Sequence, residues 1–396
     1  LAGIYPAYYM TSFPPALVLK GSFGLSPKGR QLRNALIGVQ YVASFGLIIG
    51  ATFMYLQNYY MQNTPLGYDK DEIIITNMNN NIRKSRDAFA SQVKSFSGIE
   101  EVTYAEMLLS SQDQYMGWGR KYRDKDIQFQ CLPVEPSFLK VMNVKISEGR
   151  DFREEDKAKR YGTFVFNERA RTEYGLEIGS LIDSMEIVGF MPDVKFASFR
   201  TEVTPMAFFV WGTNNWGNQP NYAYIKVKAG SDLRGAMQHV KTTLQSFDPE
   251  YPFNVRFFDE VLNGLYEKER SLSSLITLFS LIAIFISVVG VFGLVVFDSE
   301  YRKKEIGIRK VLGSTTEEII VMFNKTYIRI LCVCFVLGAP IAGYVVHRWL
   351  ENFAYKTPMY WWVYLIAFAI IAVITILTVT FQNWRAANEN PVHSIK

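Results

Sequence analysis

The sequence predicts an integral membrane α-helical protein: four membrane-spanning helices, with an extracytoplasmic α+β domain inserted between the first and the second. Two observations lead to this fold class. Four apolar segments are each about as long as the roughly 20 helical residues that cross a bilayer. The stretch 58–270 between the first two is polar instead, with 27 Lys and Arg against 30 Asp and Glu, whereas the rest of the 396-residue chain has 15 against 7.

The four spans are predicted at 34–57, 271–297, 325–348 and 361–381. The second is the clearest, because it contains no charged residue and a buried core helix of that length without a polar face is rare. The third contains Pro340, which a helix bundle tolerates because neighbouring helices satisfy the carbonyl that proline frees.

Basic residues concentrate on one side of the predicted membrane. Lys and Arg are frequent in 1–33, 298–324 and 382–396, and sparse in the short loop 349–360 between the third and fourth spans. Positively charged flanks stay in the cytoplasm, so we expect cytoplasmic termini, a cytoplasmic 298–324 connection, and residues 58–270 outside. No dense basic patch is interleaved with aromatic residues that would stack bases, so nucleic-acid binding is not expected.

The outer region has the pattern of a water-soluble α+β domain. Apolar runs predict strands near 72–76, 127–134, 163–167, 184–190, 205–211, 221–228 and 252–257. Amphipathic spacing predicts helices over 80–96 and 231–246, the second capped by Ser231 or Asp232. Two subdomains are expected, divided near 130–150.

Helical spacing continues from the outer region into the second span. Phe258, Val261 and Leu262 recur at helical intervals, so one continuous stalk helix is expected over 259–297. The first span similarly overruns the bilayer. Two stalks joined to one outer domain would transmit movement across the membrane.

A short charged segment, 299–313, separates the second and third spans. It predicts a helix lying across the cytoplasmic membrane face, ended by Gly313 in a left-handed conformation. Ser314 and Glu317 have the spacing of a capping box for the next helix. The alternative is a solvated basic loop held near anionic lipid.

The run Lys-Glu-Ile-Gly-Ile-Arg-Lys-Val-Leu-Gly at 304–313 directly follows the second span and resembles the signature of the MacB/FtsX-like ABC permeases. Outside the membrane, Gly-Arg-Asp-Phe at 149–152, Phe-Asn-Glu at 166–168, and Gly-Phe at 189–190 before Asp-Val-Lys-Phe at 193–196 resemble the periplasmic core domain of that family. The resemblance covers nearly the whole chain. It implies a permease of the bacterial inner membrane whose outer domain lies in the periplasm.

The resemblance also implies how the cytoplasmic segment is used. The 304–313 helix would dock in a groove of a partner ABC ATPase, and closure of two ATPases would move the stalks and the outer domain, which is mechanotransmission. The implied polar contacts with the ATPase are Glu305, Arg309 and Lys310. The implied apolar docking residues are Ile306, Ile308 and Leu312. Gly307 would permit close approach, and Gly313 would end the helix.

The two ends of the chain have similar sequences. Pro-Ala-Leu-Val-Leu-Lys at 15–20 matches Pro-Val-His-Ser-Ile-Lys at 391–396 in position and character, and a basic tail of that kind follows the last span in this family. Residues 1–33 are therefore interpreted as a cytoplasmic linker that includes the end of a preceding permease unit. That makes the chain the C-terminal half of a two-unit permease with eight spans.

Several kinds of site have no sequence signal. The chain has no Gly-x-x-x-x-Gly-Lys-Ser/Thr phosphate loop, so ATP binding is expected on a separate chain and no cofactor is expected here. His239, His347 and His393 have no ligand neighbours at metal spacing, and no Gly-x-Ser-x-Gly elbow occurs. The spans are almost free of the ionisable residues that a proton relay would need. A non-catalytic transmembrane subunit is expected.

Three functions remain open at this point. Export of an amphiphile, such as an antimicrobial peptide, drug, lipoprotein or lipid, is favoured by the large outer domain. FtsX-like signalling to a cell-wall hydrolase is the second. A membrane sensor with a ligand-binding outer domain is the third, although the cytoplasmic segments are short for an output domain. The expected partners are an ABC ATPase subunit, a second permease unit and membrane lipids, with a periplasmic adaptor or outer-membrane partner left open.

Overall fold

The structure is a computed structural model that describes residues 27–109, 116–195, 199–217, 219–264, 266–301, 308–309 and 312–387. These residues form two compact units. The membrane unit falls within Leu1–Tyr59, Glu269–Asn352 and Thr357–Lys396, and the outer unit within Tyr60–Lys268 and Phe353–Lys356. The chain therefore passes between the units four times.

Helices and strands are numbered separately in chain order. The helices are α1 (Pro27–Asn63), α2 (Asn80–Lys84), α3 (Arg86–Lys94), α4 (Phe138–Val141), α5 (Glu168–Tyr174), α6 (Leu233–Phe247), α7 (Phe258–Gly264), α8 (Glu267–Tyr301), α9 (Thr316–Leu350) and α10 (Trp361–Ala387). The strands are β1 (Ile73–Asn77), β2 (Ile99–Ala105), β3 (Met116–Tyr122), β4 (Lys125–Val134), β5 (Glu148–Gly149), β6 (Thr163–Asn167), β7 (Leu181–Ile182), β8 (Met185–Met191), β9 (Met206–Val210), β10 (Tyr222–Val227) and β11 (Arg256–Phe257).

The membrane unit is built from α1, α8, α9 and α10. Each contains a stretch long and apolar enough to cross a membrane: Ala35–Asn63, Glu269–Gly293, Thr316–Leu350 and Trp361–Trp384. Aromatic rings join three of these helices, because the ring of Phe45 on α1 lies 5.2 Å from Phe335 on α9 and 6.4 Å from Phe368 on α10. The four-helix membrane part of the predicted fold class is confirmed.

Hydroxyl pairs also connect the spans. The Tyr41 hydroxyl lies 3.1 Å from Thr375 Oγ1, which joins α1 to α10. Ser44 Oγ lies 2.8 Å from Ser287 Oγ, which joins α1 to α8. Polar groups in hydrocarbon gain little from lipid, and hydrogen bonds of this kind between membrane helices contribute roughly 0.6 kcal/mol each on average.

The described residues of the outer unit contain one mixed sheet of eleven strands. Its order is β11-β1-β10-β2-β4-β9-β6-β8-β5, with β3 also paired to β4 and β7 to β8. The pairs β4–β9 and β6–β8 are parallel, whereas pairs such as β1–β10, β10–β2 and β3–β4 are antiparallel. A mixed sheet with helices between its strands confirms the α+β part of the predicted fold class.

Buried aromatic side chains hold the central strands of this sheet together. Phe164 on β6 and Phe208 and Phe209 on β9 are completely buried. The ring of Trp118 on β3 lies 5.1 Å from Phe209 and 6.0 Å from Phe164. Since each such burial is worth about 1.5–3 kcal/mol relative to exposure, the apolar content of these strands explains why they form the centre of the outer unit.

Most of the predicted outer elements form, some with altered bounds. β6 occupies the predicted 163–167, and α6 forms within one or two residues of 231–246. Asp232 caps α6 by accepting hydrogen bonds from two backbone N–H groups of its first turn. The helix expected over 80–96 is instead two helices, α2 and α3, because the backbone leaves the helical conformation at Ser85.

Four strands were not predicted from the sequence: β2, β3, and the two-residue strands β5 and β7. β2 begins Ile-Glu-Glu, so its charged residues conceal its apolar ones, and β3 contains Gly117 and Gly119, a residue type depleted in strands. β3 forms because it pairs with β4 along its whole length. Only the last two residues of the strand expected at 252–257 pair, as β11. The strands expected in two subdomains share one continuous sheet, in which β2 is joined to β4 at Ala105 and Val134; the division near 130–150 stays a prediction.

The continuous stalk helix expected over 259–297 is also wrong in its first part. α7 ends at Gly264 and α8 starts at Glu267, with Tyr266 in a turn between them. The Tyr266 N–H bonds to the carbonyl of Asn263, three residues back, instead of four. Glycine lowers helix stability by roughly 1 kcal/mol, which favours the break there.

Candidate functional site

The connection between α8 and α9 contains all the predicted coupling residues. Four of them lie outside the described residues: Glu305, Ile306, Gly307 and Lys310. The other four are described: Ile308, Arg309, Leu312 and Gly313. The structure therefore shows the end of the predicted coupling helix but not its beginning.

A tight helix end follows Ile308 and Arg309, which are helical. The Leu312 N–H donates to the carbonyl of Ile308 at 3.0 Å, and the Ser314 N–H donates to the carbonyl of Arg309 at 2.9 Å. Gly313 has a φ of +97°. A six-residue hydrogen bond around a positive-φ glycine is the Schellman arrangement that ends many helices. The left-handed conformation expected of Gly313 is observed.

Two apolar side chains at this helix end are exposed. Ile308 is 56% exposed and Leu312 is 80% exposed. Arg309, which carries a positive charge at neutral pH, lies between them in the chain. Exposed apolar side chains rimmed by charge are typical of surfaces that contact another protein or a membrane.

The capping box of the next helix forms one residue later than predicted. Thr315 is the N-cap of α9: its Oγ1 accepts from the Glu318 N–H at 3.3 Å, and Glu318 accepts from the Thr315 N–H at 3.2 Å. The expected pair, Ser314 and Glu317, has the same spacing. Ser314 instead uses its N–H to close the preceding helix end, so the cap falls to Thr315.

A charged cluster in the outer unit surrounds the 149–152 run. Arg150 donates to both carboxylate oxygens of Asp156, at 2.7 and 2.9 Å. Burial raises the pKa of Asp156, but hydrogen bonds from Arg150 and from the Arg153 N–H outweigh burial and hold that pKa below its ordinary value. Burial raises the pKa of Asp151 from 3.8 to about 6. This cluster is an internal ion pair that stabilises a turn.

The described residues show no constellation for metal or nucleophilic chemistry. Within them, no three His, Cys, Asp or Glu side chains come together as metal ligands. Cys131 is completely buried in the sheet, and burial raises the pKa of its thiol well above the ordinary value. A buried thiol with a raised pKa is inert as a nucleophile.

One contact site was missed by the sequence analysis. The 193–196 run was noted only for its resemblance, and Phe196 lies outside the described residues. In the structure, Lys195 lies against the ring of Tyr355, in the loop after α9. A pair so distant in the chain leaves no periodic signal, so only the fold reveals it.

Two family models match the chain. The model described as MacB-like periplasmic core domain matches residues 37–243, and the model described as FtsX-like permease C-terminal matches residues 277–391. The first match alone covers more than half of the 396 residues. The second includes the whole connection between α8 and α9.

The curated relatives include two export proteins. The macrolide export ATP-binding/permease protein MacB of Chromobacterium violaceum is 23% identical over 230 residues, which are 55% of this chain and 35% of that protein. The protein of the same name from Escherichia coli (strain K12) is 23% identical over 233 residues, again 55% of this chain and 35% of the relative. The match thus spans about a third of the length of these relatives.

The solved structures similar to this chain include two outer domains. The periplasmic region of MacB from Actinobacillus actinomycetemcomitans is 14% identical with a TM-score of 0.38, covering 51% of this chain and 95% of that one. The extracellular domain of the noncanonic ABC-type transporter YknZ from Gram-positive bacteria is 12% identical with a TM-score of 0.34, covering 46% and 99%.

The family assignment rests on the two family models together with the fold. One model lies mainly on the outer unit and the other on the last three spans. Four apolar helices, with a periplasmic-type domain after the first of them, fit a multi-pass inner-membrane protein. The chain belongs to the MacB/FtsX-like family of ABC transporter permeases.

Proposed function

We propose that this chain is a non-catalytic permease unit that converts ATP hydrolysis on a separate ABC ATPase chain into movement of its periplasmic domain. The work done is export or extrusion of an amphiphilic substrate: an antimicrobial peptide, drug, lipoprotein or lipid. Force passes along the helices by mechanotransmission, and the substrate is moved by the outer domain.

The helix end between α8 and α9 is the observation that carries the proposal. Ile308 and Leu312 expose apolar surface there, and the turn at Gly313 fixes their position relative to α9. A rigid, partly apolar corner can transmit a push to the spans, which a solvated loop cannot. Glu305, Ile306, Gly307, Arg309 and Lys310 complete the proposed docking surface.

A second permease unit is the partner that we propose for the membrane unit. Gly46 and Gly50 lie four residues apart on α1, and a side chain at either would meet open space. They line an apolar groove of about 470 Å³, to which Gly338, Val345 and Trp349 of α9 contribute. Small residues at four-residue spacing allow membrane helices to approach closely, which suits a helix of a second unit.

The proposal is tested by affinity purification of the intact protein from its native membrane in mild detergent. We expect a stoichiometric ABC ATPase to co-purify and its ATPase activity to depend on the permease. Reversing two charges, Arg309→Glu with Lys310→Glu, should abolish both results. Lys241→Glu, a charge reversal on the exposed face of α6, is the matched control and should change neither.

Other results would redirect the proposal. Retention of the ATPase by the double reversal variant would overturn the assignment of the docking surface. An intact complex that brings a cell-wall hydrolase with it would favour FtsX-like signalling over export. Absence of any ATPase from the wild-type preparation would remove the transport function and favour a ligand sensor.

A further inference from the structure

The loop between the third and fourth spans belongs to the outer unit. Residues Phe353–Lys356, here called the outer loop, are grouped with Tyr60–Lys268 and not with the spans on either side of them. The outer loop contacts the part of 194–203 that the structure describes, here called the clamp segment. The contacts between these two pieces lie entirely within the outer unit.

Phe199 is the centre of the clamp segment. It is only 2% exposed, its N–H donates to the Tyr266 hydroxyl at 2.9 Å, and its carbonyl accepts from the Tyr355 N–H at 3.1 Å. Its ring stands edge-on to Tyr355, with centroids 6.0 Å apart, and packs against Tyr60 at 6.4 Å. Three separate parts of the chain thus meet at one side chain.

Tyr355 is held at both ends. Its backbone bonds to Phe199, and its hydroxyl accepts from the Val203 N–H at 3.4 Å. Lys195 Nζ lies 4.2 Å from the centroid of the Tyr355 ring and 5.0 Å from that of Phe199. A cation over one buried and one partly buried ring is attracted by their electron-rich faces. Neighbouring Arg200 lies over the ring of Phe353, 5.1 Å from its centroid.

The clamp segment is itself anchored beside the end of α1. The Lys195 N–H donates to the carbonyl of Leu66 at 2.8 Å, and the Tyr68 hydroxyl donates to the carbonyl of Lys195 at 3.3 Å. Gly67, between those two residues, has a φ of +88°, and a Cβ there would lie 2.8 Å from the Val194 side chain. The close approach of these two backbones explains the glycine.

We infer that the clamp segment holds the outer loop as a fixed part of the outer unit. Tyr60 closes the first span, Tyr266 precedes the second, and Tyr355 lies between the third and fourth, so one cluster joins the outer ends of all four spans. Movement of the outer unit is then imposed on every span, and not only on α1 and α8. The clamp itself is independent of the proposed function, whereas its role in coupling rests on it.

Hydrogen–deuterium exchange on the intact protein in lipid nanodiscs tests the clamp. Amides of 199–204 and 352–356 should be protected in the wild type. Tyr355→Ala should speed exchange in both peptides on the order of tenfold, because losing the clamp opens them locally. Tyr355→Phe keeps the ring and should speed exchange only at Val203. Tyr360→Ala, in the same connection but outside the cluster, should change neither peptide.

Two exchange results would overturn the clamp. One is rapid wild-type exchange across the outer loop. The other is exchange in the Tyr355→Ala variant that matches the wild type, because the loop would then be held by something other than Tyr355.

The coupling role is measured on the complex with its ATPase. Tyr355→Ala should leave co-purification intact but lower the permease-dependent ATPase stimulation roughly fivefold, a coupling loss of ordinary size. Unchanged ATPase stimulation together with faster amide exchange in this variant would overturn the coupling role, although the clamp itself would still be supported. Absence of an ATPase from the wild type would instead defeat the proposed function, with the exchange result unaffected.

Discussion

Asp151 and Asp156 lie within six residues of each other, and their surroundings act on them in opposite directions. Asp156 is 1% exposed and receives both guanidinium bonds of Arg150, so its charged form is favoured despite its burial. Asp151 accepts from the Phe152 N–H at 2.7 Å, but burial prevails and favours its neutral form. At the scale of single residues, one carboxylate stabilises the outer unit at neutral pH and its neighbour weakens it.

This difference predicts an unusual dependence of stability on pH. Because the pKa of Asp151 is raised from 3.8 to about 6, the folded state binds the proton more tightly than the unfolded state does. The contribution of Asp151 to stability therefore increases as pH falls from about 6 to 3.8 and is lost as pH rises through 6. Asp151→Asn should flatten the wild-type curve in this window and raise the neutral-pH melting temperature of the outer unit.

Thermal unfolding followed by circular dichroism on the purified protein at several pH values measures this effect. Glu250→Gln, at an exposed position, is the control and should leave the curve unchanged. Identical pH dependence in the wild type and Asp151→Asn would show that Asp151 does not carry the effect. Arg150 and Asp156 contact the same turn, so neither should be changed in this comparison.

Gly313 carries a second residue-scale prediction. Its φ of +97° costs any residue with a Cβ roughly 1–2 kcal/mol. Gly313→Ala should loosen the helix end and weaken ATPase stimulation, even though the exposed Ile308 and Leu312 are both kept. Gly175→Ala, the same change at the left-handed C-cap of α5 in the outer unit, is the matched control and should leave stimulation intact. Equal stimulation of the ATPase in both variants would show that the helix end at Gly313 is not needed for coupling.

At the scale of elements, α9 begins with a cap that fixes where the third span starts. The reciprocal hydrogen bonds of Thr315 and Glu318 satisfy two backbone groups that a helix start leaves open. The neighbouring Ser314 closes the preceding helix through its N–H. Two adjacent residues thus serve two different elements, and the corner between these elements is short and defined.

Capping makes a prediction that distinguishes the two candidate residues. Thr315→Ala should destabilise the first turn of α9 by about 1 kcal/mol, whereas Ser314→Ala should have little effect because Ser314 contributes its backbone. Hydrogen exchange of the amides at 316–319 measures the difference. Faster exchange in Ser314→Ala than in Thr315→Ala would place the cap where the sequence pattern alone had placed it.

At the scale of the whole molecule, the chain alternates between a membrane unit and an outer unit. The flanking charges predict that both termini and the α8–α9 connection are cytoplasmic and that the outer unit is periplasmic. Tyr251 of the outer unit and Leu312 of the connection, both exposed, should then lie on opposite sides of the membrane.

Labelling with a membrane-impermeant maleimide tests this orientation. After the native cysteines, including the exposed Cys332, are changed to alanine, Tyr251→Cys should react in spheroplasts of intact inner membrane. Leu312→Cys should react only after the membrane is opened. Reaction of both positions in sealed spheroplasts, or of Leu312→Cys alone, would contradict the proposed orientation.

Much of the outer fold could be predicted because its elements carry local signals. The apolar run of β6 and the Asp232 cap of α6 are both readable in a short window. β3 could not be predicted, because Gly117 and Gly119 oppose a strand and only pairing with β4 forms it. The bond from the Phe199 N–H to the Tyr266 hydroxyl likewise joins segments far apart in the chain and leaves no local signal.

By itself, the sequence determined which segments enter the membrane, where a helix must end at Gly313, and which family the chain resembles. These follow from hydrophobicity, charge and backbone geometry, which act within a few residues of one another. Only the tertiary structure decided that β1 to β11 form one sheet and that Tyr355 joins the outer unit through Phe199. Those contacts bring together residues far apart in the chain, and packing at such separations leaves no period or motif for the sequence to show.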